Sequence, residues 1–202
     1  MERLPGYLNF LRMKTGPEYA TISSAVIAQE MNLAAITVRK DLAFLAEGRP
    51  RVGHSREELI DRITEVLGSS EWTAAVLVGV GNLGRALMCY EGFEPYGMSV
   101  TAGFDVDRTR VGRAINDKPV YHMDDLSDFI RKNSVSIGII AVPARYAQDV
   151  CDRMVEAGIR GVLNFAPVHL CAPPNVAVRN EDFAVSLALL ASSMEKQNVE
   201  IE

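Results

Sequence analysis

In the first third of the chain, apolar residues recur three and four positions apart; beyond Gly68-Ser69-Ser70 they gather into short continuous runs. The first pattern belongs to helices with one buried face, the second to strands covered on both sides. Leu4, Tyr7, Leu8 and Leu11 mark a helix over 4–13. Ser23 or Ser24 caps a second helix reaching about Met31, because a serine oxygen accepts a bond from an otherwise unpaired first-turn amide. Asn32 ends it, since asparagine tolerates the left-handed conformation of a sharp stop. A third helix, about Ala35 to Ala46, turns Val38, Leu42 and Leu45 inward and leaves Thr37, Arg39 and Lys40 nearer solvent. Ser55-Arg56-Glu57-Glu58 is a capping box that opens a fourth helix to about Leu67.

Downstream, the runs Ala74 to Val78, Ser99 to Phe104, Ser136 to Val142 and Gly161 to Phe165 predict strands. Asn82 to Tyr90, Asp124 to Lys132 and Ala144 to Ala157 predict the helices between them. Such alternation makes a doubly wound parallel sheet, so the second part is of the α/β class. The division expected is 1–68, 73–180 and a terminal segment 181–202.

Composition narrows the class. The chain has 202 residues, 48% of them hydrophobic, but no apolar run approaches the ~20 residues of a membrane span, and Met1 to Tyr7 lacks the layout of a secretory signal. A cytoplasmic protein without a membrane partner is expected. Cys89, Cys151 and Cys171 are widely spaced and form no C-x-x-C pair, which gives neither a disulfide frame nor a zinc site. The net charge of −5 speaks against nucleic acid until its distribution is considered. Residues 1–68 balance nine basic against nine acidic side chains, and Arg39, Lys40, Arg49, Arg51 and Arg56 crowd into one stretch with only Asp41 and Glu47 opposing them. Local basic patches are what meet phosphates.

Gly79-Val80-Gly81-Asn82-Leu83-Gly84 fits G-x-G-x-x-G between a strand and a helix. Gly79 permits the tight turn, Gly81 lets the backbone approach a pyrophosphate, and Gly84 allows the helix to lie close to the strand. Asp105 ends the next strand, 21 residues after Gly84, where a carboxylate takes the hydroxyls of an adenosine ribose. It favours NAD(H) over NADP(H), unless Arg108 or Arg110 bends back to offset its charge. Asp107 reads as a solvated loop charge. Val142-Pro143 and Asn164-Phe165-Ala166 stand at the carboxyl ends of later strands, where ligands of open sheets sit. A similar cleft also suits coenzyme A.

Hydride transfer normally needs a positioned proton donor. His54, His122 and His169 are scattered, no metal-ligand cluster is present, and neither a Walker loop nor a G-x-S-x-G elbow occurs. About 110 residues of nucleotide fold are followed by little more than one helix. The expected role is therefore binding rather than catalysis, with a small NAD-dependent oxidoreductase and a CoA-binding module as alternatives.

Ser24 to Leu45 fits a helix-turn-helix held by Ile27, Ala28, Met31, Leu33 and Val38, with Thr37, Arg39 and Lys40 turned to the major groove. Gly48-Arg49-Pro50-Arg51 would be a wing whose Arg49 and Arg51 enter the narrow minor groove of A·T-rich DNA. Asp182 to Met194 predicts a last helix that is apolar all round, which a single sheet covers on one side only. A second subunit is the economical cover, and a two-fold dimer presents two reading heads to a palindrome.

Together, Val38-Arg39-Lys40-Asp41-Leu42, the arginine-rich loop ending in Val52-Gly53, Val78 to Leu87, Phe104-Asp105-Val106-Asp107 and Asn164-Phe165-Ala166-Pro167 resemble the Rex family of bacterial redox-sensing repressors over nearly the whole chain. The resemblance implies an N-terminal winged helix, a Rossmann domain for NADH or NAD+, and a homodimer that exchanges its terminal helices. It also implies release of operator DNA on NADH binding. Phe183 would lie near the partner's nicotinamide and Asp182 among the switch contacts. His54 stands where many members carry a tyrosine, and the loop is Gly-Arg-Pro-Arg rather than glycine-rich; these departures bear on the latch and the operator, not on the cofactor pocket.

Overall fold

The computed structural model describes residues 3–45, 53–67 and 72–199, with side chains described to Met194. The chain makes two compact units, Met1–Trp72 with Gly92–Met98, and Thr73–Glu91 with Ser99–Glu202.

The first unit holds α1 (Leu4–Met13), β1 (Thr21–Ile22), α2 (Ser24–Glu30), α3 (Ala35–Ala43), β2 (His54–Ser55) and α4 (Arg56–Val66). Tyr7, Leu8 and Leu11 of α1 meet Ile27, Val38, Leu42, Leu59 and Ile63 in one fully buried core. The capping chemistry read from the sequence is in place: Ser23 Oγ accepts from the Val26 amide and Ser55 Oγ from the Glu58 amide. Asn32 has φ +51°, and the Leu33 amide reaches back to the Ala28 carbonyl at 2.8 Å, a left-handed stop that turns α2 into α3. α3 leaves α-helical geometry after Ala43, earlier than its apolar period predicts, because the Leu45 amide bonds Leu42 across a tighter turn. Leu45 stays buried all the same.

The strands β1 and β2 pair antiparallel, Thr21 with Ser55 and Ile22 with His54. Two residues each are too few to show alternation, so no pattern announced them. Gly53 makes the pairing possible: its φ is +98°, and a Cβ there would stand 2.5 Å from the Ile22 oxygen.

In the second unit, β3 (Thr73–Val78), α5 (Asn82–Met88), β4 (Met98–Asp105), β5 (Ala114–Ile115), β6 (Lys118–His122) and α6 (Leu126–Lys132) are followed by β7 (Ile137–Ile140), α7 (Ala144–Ala157), β8 (Gly161–Asn164), β9 (Ala177–Asn180) and α8 (Phe183–Val199). The sheet order is β5-β6-β4-β3-β7-β8-β9. Parallel pairing joins β3 to β7, β4 to β6, β7 to β8 and β8 to β9, while β5 turns back antiparallel on β6. Leaving β5 aside, this is the Rossmann order, with its reversal between β3 and β7. Val76, Val78, Ala102, Phe104 and Ile140 bury the sheet's centre beneath Leu126, Ile130, Ala147, Val150 and Met154. β7 and β8 are shorter than their apolar runs. Ladder-like bonds persist one residue further, from the Ala141 amide to Val78 and from the Phe165 amide to Ile140, before the chain turns across the sheet's carboxyl edge.

Candidate functional site

The three glycines of the turn meet different surroundings. Gly79 has φ +97°, and a Cβ on it would lie 2.5 Å from the Ala141 oxygen, so both conformation and space demand glycine. A Cβ on Gly84 would overlap the Gly79 carbonyl oxygen and press on Leu77, which is how α5 comes to lie against β3. Gly81 differs: its φ is −78°, and an added Cβ meets nothing within 4 Å. What its missing side chain leaves open is the mouth of a cleft. Asn82, Leu83 and Gly84 form the first turn of α5, which no side chain caps.

Asp105, at the end of β4, is buried and fully engaged. Its Oδ2 accepts from the Val80 amide and from Arg110 Nη1, both at 2.8 Å, and its Oδ1 accepts from the Asp107 amide at 2.9 Å. The carboxylate thus binds the glycine turn to the segment after β4. Arg110 bridges onward to Asp107 at 3.3 Å. The side chain and amide of Thr109 hydrogen-bond to Asp107 and hold its carboxyl below the usual range. The Asp105 partner raises the Arg110 guanidinium further above its ordinary value. Asp107 therefore belongs to an ordered turn, not to the free solvated loop its sequence position suggests.

These groups surround a cleft of about 610 Å³ over the carboxyl ends of β3, β4 and β7. Gly79, Gly81, Asp105, Val142 and Pro143 line it, as do Asp107, Arg110, Tyr146, Asp149 and Arg153. The α7 contributors were missed in the sequence, although Tyr146, Asp149 and Arg153 recur at the three-and-four spacing that puts side chains on one helical face. Asn164, Phe165 and Ala166 do not line this cleft; Ala166 instead borders a second hollow with His169, Asn180 and Asp182. Asn164 is completely buried and serves as a tie: its amide nitrogen donates to Ala166, Val168 and Asn180, and its oxygen accepts from the Ala166 amide. Among the described residues, no cluster of three or more His, Cys, Asp or Glu could hold a metal ion, and no helix is long and apolar enough to cross a membrane.

In the first unit, Arg39 and Lys40 are exposed on α3, Thr37 is half-buried, and Val38 and Leu42 pin the opposite side to the core. The helix is fixed in its seat by Asp41. Arg3 holds that carboxylate with two nitrogens at 2.8 and 2.9 Å, and the Tyr7 hydroxyl donates to it at 2.7 Å. His54 lies half-buried in β2, its Nδ1 without a hydrogen-bond partner among the described residues. Arg49 and Arg51 lie outside the described residues.

At the other end of the chain, Asp182 Oδ1 caps α8 by accepting from the Ala184 and Val185 amides. Phe183 sets its ring against Phe165, 5.8 Å between centroids. Beyond it, Val185, Leu187, Leu189, Leu190 and Met194 are each more than half exposed.

Comparison with known proteins covers both units. Residues 1–43 match the family model described as the N-terminus of a putative DNA-binding protein. Residues 70–168 match the one described as a CoA binding domain. The chain is 43% identical over 197 residues to the redox-sensing transcriptional repressor Rex of Carboxydothermus hydrogenoformans, covering 97% of this chain and 95% of that protein. Against the Streptomyces coelicolor protein of the same name, identity is 40%, over 94% of this chain and 74% of the other. Among solved structures, RSP in complex with beta-NAD+ and operator DNA superposes with a TM-score of 0.89 at 31% identity, covering 98% of this chain and 92% of that one. The complex of RSP with beta-NADH gives 0.87, covering 98% and 93%. RSP is described as a Rex-family repressor.

Proposed function

The chain belongs to the Rex family of redox-sensing transcriptional repressors, and from that premise we propose that it reports the NADH to NAD+ ratio by releasing operator DNA when NADH fills the cleft. The observation that carries this reading is the pairing, in one chain, of an open glycine cradle at the Rossmann reversal with a helix-turn-helix whose exposed α3 face is basic.

The residues suit a dinucleotide. Gly81 leaves room for a diphosphate beside the uncapped first turn of α5, at Asn82, Leu83 and Gly84, and amides there favour anions. Asp105 shapes that turn through Val80, and Asp107, Arg110, Val142 and Pro143 bound the remainder of the cleft. Asn164 acts by holding the Phe165-Ala166 segment, which in turn carries the Phe183 contact. Thr37, Arg39 and Lys40, with Arg49 and Arg51, take the DNA.

The partner of α8 is a second copy of the chain, since the helix exposes large apolar side chains that water would otherwise cover. Asp182 and Phe183 at its start are then suited to pass cleft occupancy into dimer geometry, with His54 of β2 as a further switch residue. Such coupling needs unequal affinity of NADH for the two dimer arrangements. On this reading the nucleotide is a signal and not a co-substrate, in keeping with relatives named as transcriptional repressors.

Mobility shift of an A·T-rich palindromic duplex, titrated with NADH and separately with NAD+, tests this. Release by NADH at concentrations where NAD+ leaves the complex intact is the expected result; a complex indifferent to both refutes the sensor reading. Displacement of bound NADH by coenzyme A would favour the CoA reading, and absorbance loss with a carbonyl substrate the oxidoreductase.

A further inference from the structure

Ile36 occupies the second position of α3 and is 63% exposed. At about 3.6 residues per turn, Ile36, Lys40 and Ala43 fall on one stripe, directly opposite the buried Val38, Leu42 and Leu45. An isoleucine on the outer face of a helix is a poor choice for folding. Its β-branch restricts the side chain against the preceding turn, and its apolar surface gains nothing in water. Glutamate, a better helix former that also suits the positive end of the helix dipole, would serve the helix better at that position. Where a local rule is broken without a packing return, a binding role is the usual cause.

The surroundings point to one kind of ligand. Lys40 is the next residue on the stripe, Arg39 flanks it, and both are exposed. An apolar branched side chain beside two cations on one helix matches a polyanion that carries a methyl group within reach of its charges. In a helix-turn-helix the first turn of the second helix goes deepest into the major groove. There the thymine C5-methyl is the apolar feature of the groove edge, and it is read by apolar contact. Phe44, also exposed, stands at the far end of α3, outside that first turn.

We propose that Ile36 is a specificity-determining residue that reads thymine methyl groups in the operator. This rests on the DNA-binding reading above. Arg39 and Lys40 supply charge, which any sequence satisfies, whereas Ile36 supplies preference.

The test uses the full-length protein and the tightest duplex selected from a random pool. Each thymine is replaced in turn by deoxyuridine, which removes only the methyl. For the wild-type protein, the substitution at one or two positions per half-site should weaken binding about fourfold, the effect of one methyl-sized group returned to water. Ile36→Ala should bind the thymine duplex more weakly, ignore uridine at those same positions, and keep the wild-type salt dependence, since no phosphate contact is lost. An Ile36→Ala protein that binds like wild type, or that stays as sensitive to uridine as wild type, overturns the proposal while leaving DNA binding intact. Failure to select any duplex overturns both readings. Because Ile36 is exposed, the variant should melt as wild type does, and it keeps NADH binding as an internal check on folding.

Discussion

The carboxylate of Asp105 accepts a hydrogen bond from the backbone amide of Val80 across 2.8 Å, so the end of β4 holds the middle of the glycine turn. Arg110 joins the same oxygen at 2.8 Å. Asp105→Ala leaves a buried amide without its acceptor, which costs about 1–3 kcal/mol. Its expected consequences are a lower melting temperature and NADH affinity reduced by about tenfold or more. Asp105→Asn keeps an acceptor for Val80 and loses the charge facing Arg110, so it should fall between. Fluorescence titration of NADH with both variants decides the matter, and wild-type affinity in Asp105→Ala would show that the turn needs no such support.

The glycines of that turn separate folding from binding. Gly84→Ala forces a methyl group into the Gly79 carbonyl and should lower the melting temperature by several degrees, with NADH binding lost alongside. Gly81→Ala meets no protein atom and has ordinary backbone angles, so its melting temperature should match wild type. Its methyl nevertheless stands where the cleft opens, and NADH affinity is expected to drop about tenfold. Calorimetry with and without NADH reads both quantities. A Gly81→Ala protein stabilised by NADH as fully as wild type would remove the diphosphate from that position.

The Arg3–Asp41–Tyr7 cluster makes an acid-sensitive tie between α1 and α3. Hydrogen bonds from Arg3 hold the Asp41 carboxyl below its ordinary value, and burial raises the Tyr7 phenol. On acidification the unfolded chain takes up the Asp41 proton before the folded one does. The stabilisation is therefore complete above about pH 4, the ordinary carboxyl range, and is lost as pH falls through the lower folded value. Asp41→Asn should flatten that acid limb of stability, and Tyr7→Phe should lower stability by about 1 kcal/mol at neutral pH. Urea unfolding from pH 2.5 to 7 measures both. An acid limb unchanged in Asp41→Asn would assign the sensitivity to another carboxylate.

What the sequence made legible follows from how local each signal is. The caps at Ser23 and Ser55, the stop at Asn32, the positive φ of Gly79 and the close approach at Gly84 depend on backbone within a few residues, and local sequence marks each of them. No apolar run marks strands β5, β6 and β9. They lie toward the sheet's margins, where Pro119, Lys118 and Arg179 dilute the apolar run that a central strand must have. Spacing alone points Asp105 at a ribose; its bonds to Val80 and Arg110 connect parts of the chain that spacing does not relate. The same holds for Asn164, whose strand-end position suggested a ligand contact although its amide is consumed within the protein. The all-round apolar character of α8 was visible at once, because it needs only the helical period, and its exposure in one chain is its direct consequence.

Leu187 and Leu190 are three residues apart and 68% and 59% exposed, so they share an exposed apolar face of α8. If a second copy supplies the cover, charging this face with Leu187→Glu and Leu190→Glu buries two carboxylates in an apolar contact, and the assembly should dissociate. Neither side chain supports its own subunit, so secondary structure should survive. Sedimentation equilibrium would then report a monomer. Two reading heads set about 34–36 Å apart on a palindrome would become independent, and operator affinity should fall by about a hundredfold as the linkage between half-sites is lost. Affinity for an isolated half-site should not change, because Arg39 and Lys40 lie in the other unit. A double variant that still sediments as a dimer would place the subunit contact elsewhere and leave the apolar face of α8 without a partner of its own kind.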